Sequence, residues 1–91
     1  MSTTVRIPTQ LRALTEGRDE VQATGVTVAE LIRDLEARHP SIAARLLDDG
    51  GNVRRFVNLY LNEEDIRFLD GLTTTVPDDA CLSIIPAVAG G

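Results

Sequence analysis

The chain contains no lysine and a single cysteine, Cys81, and a single histidine, His39. One cysteine builds no internal disulfide framework, and nothing here requires an oxidising compartment. One Cys and one His are too few for a structural zinc site. Basic charge is also scarce: 9 Lys+Arg stand against 14 Asp+Glu, a formal net charge of −5. A nucleic-acid binder neutralises phosphates with a basic face, and this composition offers none. Long apolar runs are missing as well. Met1-Ser2-Thr3-Thr4 leads straight into alternating sequence, so no signal peptide, membrane span or lipidation motif is expected, and the expected location is the cytosol. Repeats, linkers and low-complexity stretches are absent. The loop Asp48-Asp49-Gly50-Gly51-Asn52 lacks the lysine and the strand-loop-helix setting of a phosphate-binding loop.

What is present describes one small domain of 91 residues, 43% hydrophobic and 25% charged. A chain of this size buries about 60–70% of its unfolded surface, enough for one core. Val5 and Ile7 alternate with Thr4 and Arg6, which is strand periodicity, and Pro8 fits the strand's end. Leu11 and Leu14 punctuate a loop closing at Gly17. Val21 and Ala23 then alternate with Glu20 and Gln22, so Thr3–Ala23 reads as an opening hairpin ended by Gly25.

One clear helix runs from Val28 to Arg38. Thr27 with Glu30 three residues later forms a capping box, and Val28, Leu31, Ile32 and Leu35 make one apolar stripe. His39-Pro40 stops it, and Ser41 is placed to cap a shorter second helix carrying Ile42, Leu46 and Leu47. Phe56 to Leu61 is a strong strand, with Val57, Leu59 and Leu61 on one face and Phe56, Asn58 and Tyr60 on the other. A turn at Asn62–Asp65 leads to a brief strand, Ile66-Arg67-Phe68. The last strand is Cys81 to Pro86, with Leu82 and Ile84 facing opposite to Cys81, Ser83 and Ile85.

The expected fold is therefore α+β: a small mixed sheet with one main helix packed across one face and a short second helix. Its core list is Val5, Ile7, Val21, Leu31, Ile32, Leu35, Val57, Leu59, Leu61, Leu82 and Ile84. The domain covers residues 1–87, and residues 88–91 form a flexible Gly-Gly tail. Two specified positions are both glycine by chance in roughly one chain in two hundred.

This order, with Gly90-Gly91 after the last strand, resembles the β-grasp (ubiquitin-like) family. The stretches Arg55–Asn62 and Ser83–Gly91, the Asp78-Asp79 pair and the Val5-Arg6-Ile7-Pro8 start resemble the prokaryotic sulfur carriers of the thiamine and molybdopterin types (ThiS/MoaD-like), and most of all the cysteine-biosynthesis carrier. The resemblance spans essentially the whole chain, with departures mainly in the loops near Thr15–Asp19 and Asp48–Arg54.

The resemblance implies a protein co-substrate rather than an enzyme, with no cofactor and no metal of its own. A separate E1-like enzyme would use ATP to adenylate the Gly91 carboxylate, and sulfide or a persulfide would displace AMP to leave a thiocarboxylate. Implied acceptors are an activated serine derivative on a pyridoxal-phosphate (PLP)-dependent cysteine synthase, with a metalloprotease releasing cysteine, or a thiamine, molybdopterin or other sulfur pathway. Val88, Ala89 and Gly90 would thread into the partner's active site. Glycines leave such a channel unobstructed, and Val88 to Gly91 reaches roughly 13 Å. Phe56, Tyr60 and Ile85 are expected to sit together on the face away from the helix, with Pro86 leading to the tail, as a docking patch.

Other readings of the same terminus are a ubiquitin-like protein modifier, a small subunit of a molybdopterin-synthase-like complex, and a binding module with an inert tail. The absence of lysine excludes lysine-linked self-chains. Cys81 reads as a packing residue, since no helix N-terminus or cation is evident beside it. His39 reads as a helix-end residue. Glu63-Glu64-Asp65 lack the spacing and glycine of a calcium loop and read as a solvated turn, as do Asp78-Asp79.

Overall fold

Alternating side chains fold into the strands that their period demands. The computed structural model describes residues 2–86 and contains β1 (Thr3–Arg6), β2 (Glu20–Ala23), α1 (Val28–Arg38), α2 (Ile42–Leu46), β3 (Val57–Leu61), β4 (Glu64–Asp65) and β5 (Cys81–Pro86). Ala87 and the expected tail Val88–Gly91 lie outside the described residues.

The sheet runs β2-β1-β5-β3-β4. β1 pairs antiparallel with β2, with Val5 opposite Val21, and parallel with β5, with Val5 beside Leu82. β5 pairs antiparallel with β3, from Leu82 opposite Leu61 to Pro86 opposite Val57. The last strand is therefore central, and this mixed sheet with one main helix across it is the β-grasp architecture. In-phase alternation puts Val5, Val21, Val57, Leu59, Leu61, Leu82 and Ile84 on one face, all buried. The α1 stripe covers them, and Val28, Leu31, Ile32 and Leu35 are each at most 1% exposed. Burying a side chain of this size stabilises by about 1.5–3 kcal/mol, as an upper bound set by an extended unfolded chain. Every residue of the expected core is buried. Leu11, Ala23, Val28, Ile42, Leu46, Ile66 and Ala80 join them.

Helix ends depart from expectation in two places. Thr27 Oγ1 accepts from the Glu30 amide (3.3 Å), but the Glu30 carboxylate accepts from the Val26 amide (3.1 Å) rather than completing the box on Thr27. Ser41 does not cap α2 with its side chain. Its φ of 83° is left-handed, and the Glu36 carboxylate of α1 instead accepts the Ser41 and Ala43 amides (3.0 and 2.9 Å). These two bonds, Ser41 first, hold the Glu36 carboxyl below its ordinary range.

The expected strand Ile66–Phe68 is a 3₁₀ turn. Asn62 and Glu63 both take positive φ (50° and 75°), the signature of a tight hairpin turn that starts β4 at Glu64. Asp65 Oδ1 then accepts the Arg67 amide (2.9 Å), which curls the chain after two strand residues. The Thr9–Thr15 loop is also 3₁₀, with Leu11 tucked into the core.

Candidate functional site

The main feature of the site is the path by which the chain leaves the sheet. β5 lies between β1 and β3, and Pro86 stands at its end opposite Val57, the first residue of β3. β5 is flanked by both neighbours as far as Ser83, and from Ile84 to Pro86 it is paired with β3 alone. The five residues Ala87 to Gly91 reach at most about 17 Å beyond that point.

The face away from α1 carries Ile85, Ser83, Asn58 and Tyr60. Ile85 is opposite Asn58 and Tyr60 opposite Ser83. Ile85 is 45% exposed and Tyr60 half-buried. Tyr60 is also opposite Asp65 of β4. Asp65 is 7% exposed, and its carboxylate takes the Arg67 guanidinium side-on, with Nη2 at 2.8 Å and Nε at 3.2 Å. Arg67 also donates to Asn58 Oδ1. The Arg67 hydrogen bond is the main reason that the Asp65 carboxyl lies below its ordinary range, against the opposing effect of burial. The guanidinium, stabilised in turn by Asp65, is pushed above its ordinary value. This cluster fixes the edge of the sheet beside Tyr60.

Phe56 does not share this face. It precedes β3, in a turn closed by the Val57 amide on the Arg54 carbonyl (3.0 Å), so strand alternation does not reach it. It is 57% exposed and lines a hollow of about 510 Å³ on the helix side, together with Leu11, Ala44, Val57, Ile84 and Pro86. The four expected docking residues therefore divide in two. Tyr60 and Ile85 lie on the open face, Phe56 and Pro86 in the hollow, with the end of β5 between them.

Arg45 and Arg54 also line the hollow. Arg54 Nε donates to the Ala44 carbonyl in the middle of α2 (2.8 Å), which draws these residues together across a separation of ten in sequence. The Arg54-Arg55 pair before a strand start is the one trace of this feature in the sequence. The Asp65–Arg67–Asn58 cluster leaves none, because it depends on β4 being cut short.

Cys81 is half-buried at the opposite end of β5 from Pro86, about 16 Å away along the strand. Its amide donates to Asn62 Oδ1 (3.0 Å). The His39 amide donates to the Leu35 carbonyl (2.6 Å), as a helix-end residue does. Glu63 and Glu64 are exposed, but Asp65 is not part of a solvated turn. Among the described residues no three His, Cys, Asp or Glu side chains are grouped to hold a metal, and no helix is long and apolar enough to cross a membrane.

Comparison with known proteins matches this arrangement along its length. The ThiS family model matches residues 5–91. The sulfur carrier protein CysO of Mycobacterium tuberculosis is 48% identical over 93 residues, covering 100% of both chains. The crystal structure of the Amycolatopsis orientalis BexX/CysO complex contains a chain that superposes with a TM-score of 0.92 at 50% identity, over 98% of this chain and 99% of that one. Small archaeal modifier protein 3 of Haloferax volcanii is 40% identical over 65 residues, 71% of this chain and 70% of the relative. A sheet that carries its last strand at the centre, and a family match that runs on through Gly91, place this chain in the ThiS family of β-grasp sulfur carriers.

Proposed function

We propose that Gly91 is the reactive end of this sulfur carrier and that the chain serves cysteine biosynthesis in the cytosol. The observation that carries the reading is the full-length likeness to CysO, 48% identical with neither chain extending beyond the other. The carrier is a protein co-substrate, not a catalyst.

A carboxylate resists nucleophiles through its charge and resonance. An E1-like enzyme removes both obstacles by joining the Gly91 carboxylate to AMP, with pyrophosphate leaving from ATP. Sulfide then attacks the carbonyl, AMP leaves, and a thiocarboxylate remains; a persulfide R–S–S⁻ would first give an acyl disulfide, which a second thiol cleaves to the thiocarboxylate while forming a disulfide with R–S. Val88, Ala89 and Gly90 carry that group into the enzyme's active site while the folded domain docks outside. Tyr60 and Ile85 on one side of β5, and Phe56 and Pro86 on the other, form the docking surface. A CysO chain solved in complex with BexX supports docking by carriers of this kind on a second protein.

The finer reading is that a PLP-dependent synthase joins the carrier's sulfur to an activated serine derivative, and that a metalloprotease frees the cysteine. The test is to mix thiocarboxylated carrier with such a synthase and O-phosphoserine or O-acetylserine. Addition of one cysteinyl residue to the carrier terminus is expected. An unaltered thiocarboxylate with a synthase that is active on sulfide would overturn the cysteine assignment. The likeness to a small archaeal modifier protein favours one second reading, conjugation of Gly91 to protein amines. Ladders of larger ATP-dependent species would identify it, and lysine-linked chains of this protein on itself are excluded because it has no lysine.

A further inference from the structure

The net charge of −5 is unevenly placed. From Asn62 to Ala80 the chain holds six carboxylates, Glu63, Glu64, Asp65, Asp70, Asp78 and Asp79, against the single cation Arg67. Glu63, Glu64, Asp78 and Asp79 flank the end of the sheet where β5 begins, since the Asn62 amide donates to the Cys81 carbonyl and Ala80 leads directly into the strand; Arg6 shares a recess with Glu63 there, and Asp65 lies part-way along the sheet, opposite Tyr60 and paired with Arg67. At the other end, where β5 finishes at Pro86, Arg45 and Arg54 stand at the walls of the apolar hollow, with Arg55 beside them across a smaller recess shared with Asp48 and Phe56. Among the described residues Arg45 makes no hydrogen bond or ion pair with a side chain, and Arg54 makes no ion pair. Asp48, the one carboxylate in that recess, has Oδ1 occupied by the Gly50 and Asn52 amides (2.9 and 3.0 Å).

Resting on the carrier reading above, we infer that this arginine-walled hollow is the seat of an acidic segment of the E1-like activating enzyme, with an apolar side chain on Leu11, Phe56 and Pro86 and carboxylates opposite Arg45 and Arg54. Charge complementarity argues for that occupant, since two arginines without ionic partners among the described residues stand together at the walls of one apolar hollow. Position argues for it too. An active site that takes Gly91 lies within about 17 Å of Pro86, which is itself part of the hollow's lining, so the hollow is within reach of the mouth of that site. Cations at the tail exit and carboxylates at the far end also orient the approach, tail first, towards a negatively charged mouth.

The experiment is ATP–pyrophosphate exchange by the cognate E1-like enzyme, with the full chain as varied substrate. The chains compared are wild type, Arg45→Glu and, as a control for net charge, Arg33→Glu on the exposed side of α1. Circular dichroism melts confirm that each is folded. The inference predicts that Arg45→Glu raises KM at least tenfold with kcat within about twofold and weakens the salt dependence of KM, while Arg33→Glu changes KM by less than about threefold. Equal effects of the two reversals, with wild type activated normally, would overturn the hollow as a docking seat and leave the carrier reading standing. A lowered KM in Arg45→Glu would overturn it in favour of the chain's own terminus as occupant, and a change in sedimentation mass in favour of a second copy. No exchange with wild type, by an enzyme proven active on another carrier, would defeat the carrier reading itself and the inference with it.

Discussion

Gly25 is glycine for space, and replacing it with alanine tests how closely the fold is packed. The strap Thr24–Val26 crosses the first turns of α1. A Cβ on Gly25 would lie 2.6 Å from the Leu31 amide nitrogen, 2.8 Å from the Glu30 carbonyl carbon and 2.9 Å from Glu30 Cβ. Carbon contacts settle near 3.5–4.0 Å, so the strap must retreat by more than about half an ångström. Two of the three atoms are helix backbone and cannot swing aside. The retreat also stretches two bonds to α1 carboxylates: the Thr24 amide on Asp34 (2.8 Å) and the Val26 amide on Glu30 (3.1 Å). Overpacking of this kind costs about 1–3 kcal/mol, partly offset by the ~0.4–1 kcal/mol gained when glycine's unfolded-state freedom is removed. With the two exposed bonds weakened as well, the expected net loss is about 1–3 kcal/mol. For a domain of this size that lowers Tm by roughly 5–20 °C. Thermal and urea unfolding followed by circular dichroism would measure it. NMR titration adds a local readout: the Thr24 amide is the main reason that the Asp34 carboxyl lies below its ordinary 3.8, so in Gly25→Ala it should move back towards that value. A Tm at or above wild type, with Asp34 unmoved, would refute the packing argument.

The remaining predictions concern the site. Gly91→Ala, or one residue appended after Gly91, should abolish activation with an unchanged melting curve; normal adenylation of Gly91→Ala would refute the narrow-channel reasoning. Phe56→Asp should raise KM for the activating enzyme about tenfold, and because Phe56 is 57% exposed and outside β3 it should cost only about 1 kcal/mol of stability. A loss of more than about 3 kcal/mol in urea unfolding of that variant at neutral pH would contradict its placement. Asp65 titrates below its ordinary 3.8 in the folded chain, so its contribution is complete above that value and disappears as pH falls through the lower folded one. The urea midpoint of Asp65→Asn should therefore lie below wild type at neutral pH and converge with it in acid. A gap that persists unchanged in acid would mean that Asp65 acts through something other than its charge.

The strands and α1 were legible because their burial is periodic. Val5 and Ile7, Val57, Leu59 and Leu61, and Leu82 and Ile84 alternate strictly, and the α1 stripe recurs with helical spacing. Every one of them is in the core. What escaped lies where no period exists. A two-residue strand such as β4 has no alternation to read, and its end is set by one Asp65–Arg67 bond. The cap of α2 comes from Glu36, a residue on another helix, so the local sequence around Ser41 suggests the wrong acceptor. Phe56 was assigned to the open face by extending the β3 alternation one residue too far, into a turn. The Gly90-Gly91 pair was visible in the sequence, but the hollow beside Pro86 was not, because it joins α2 to the segment before β3 through contacts such as the Arg54–Ala44 bond.

The most direct test of the account is the intact mass of the protein after incubation with an E1-like enzyme, ATP and sulfide, followed by fragmentation from the C-terminus. The account predicts a gain equal to the replacement of one oxygen by sulfur, localised to Gly91 and dependent on ATP. An unchanged mass with an enzyme proven active on another carrier, or a sulfur gain localised to Cys81, would contradict it.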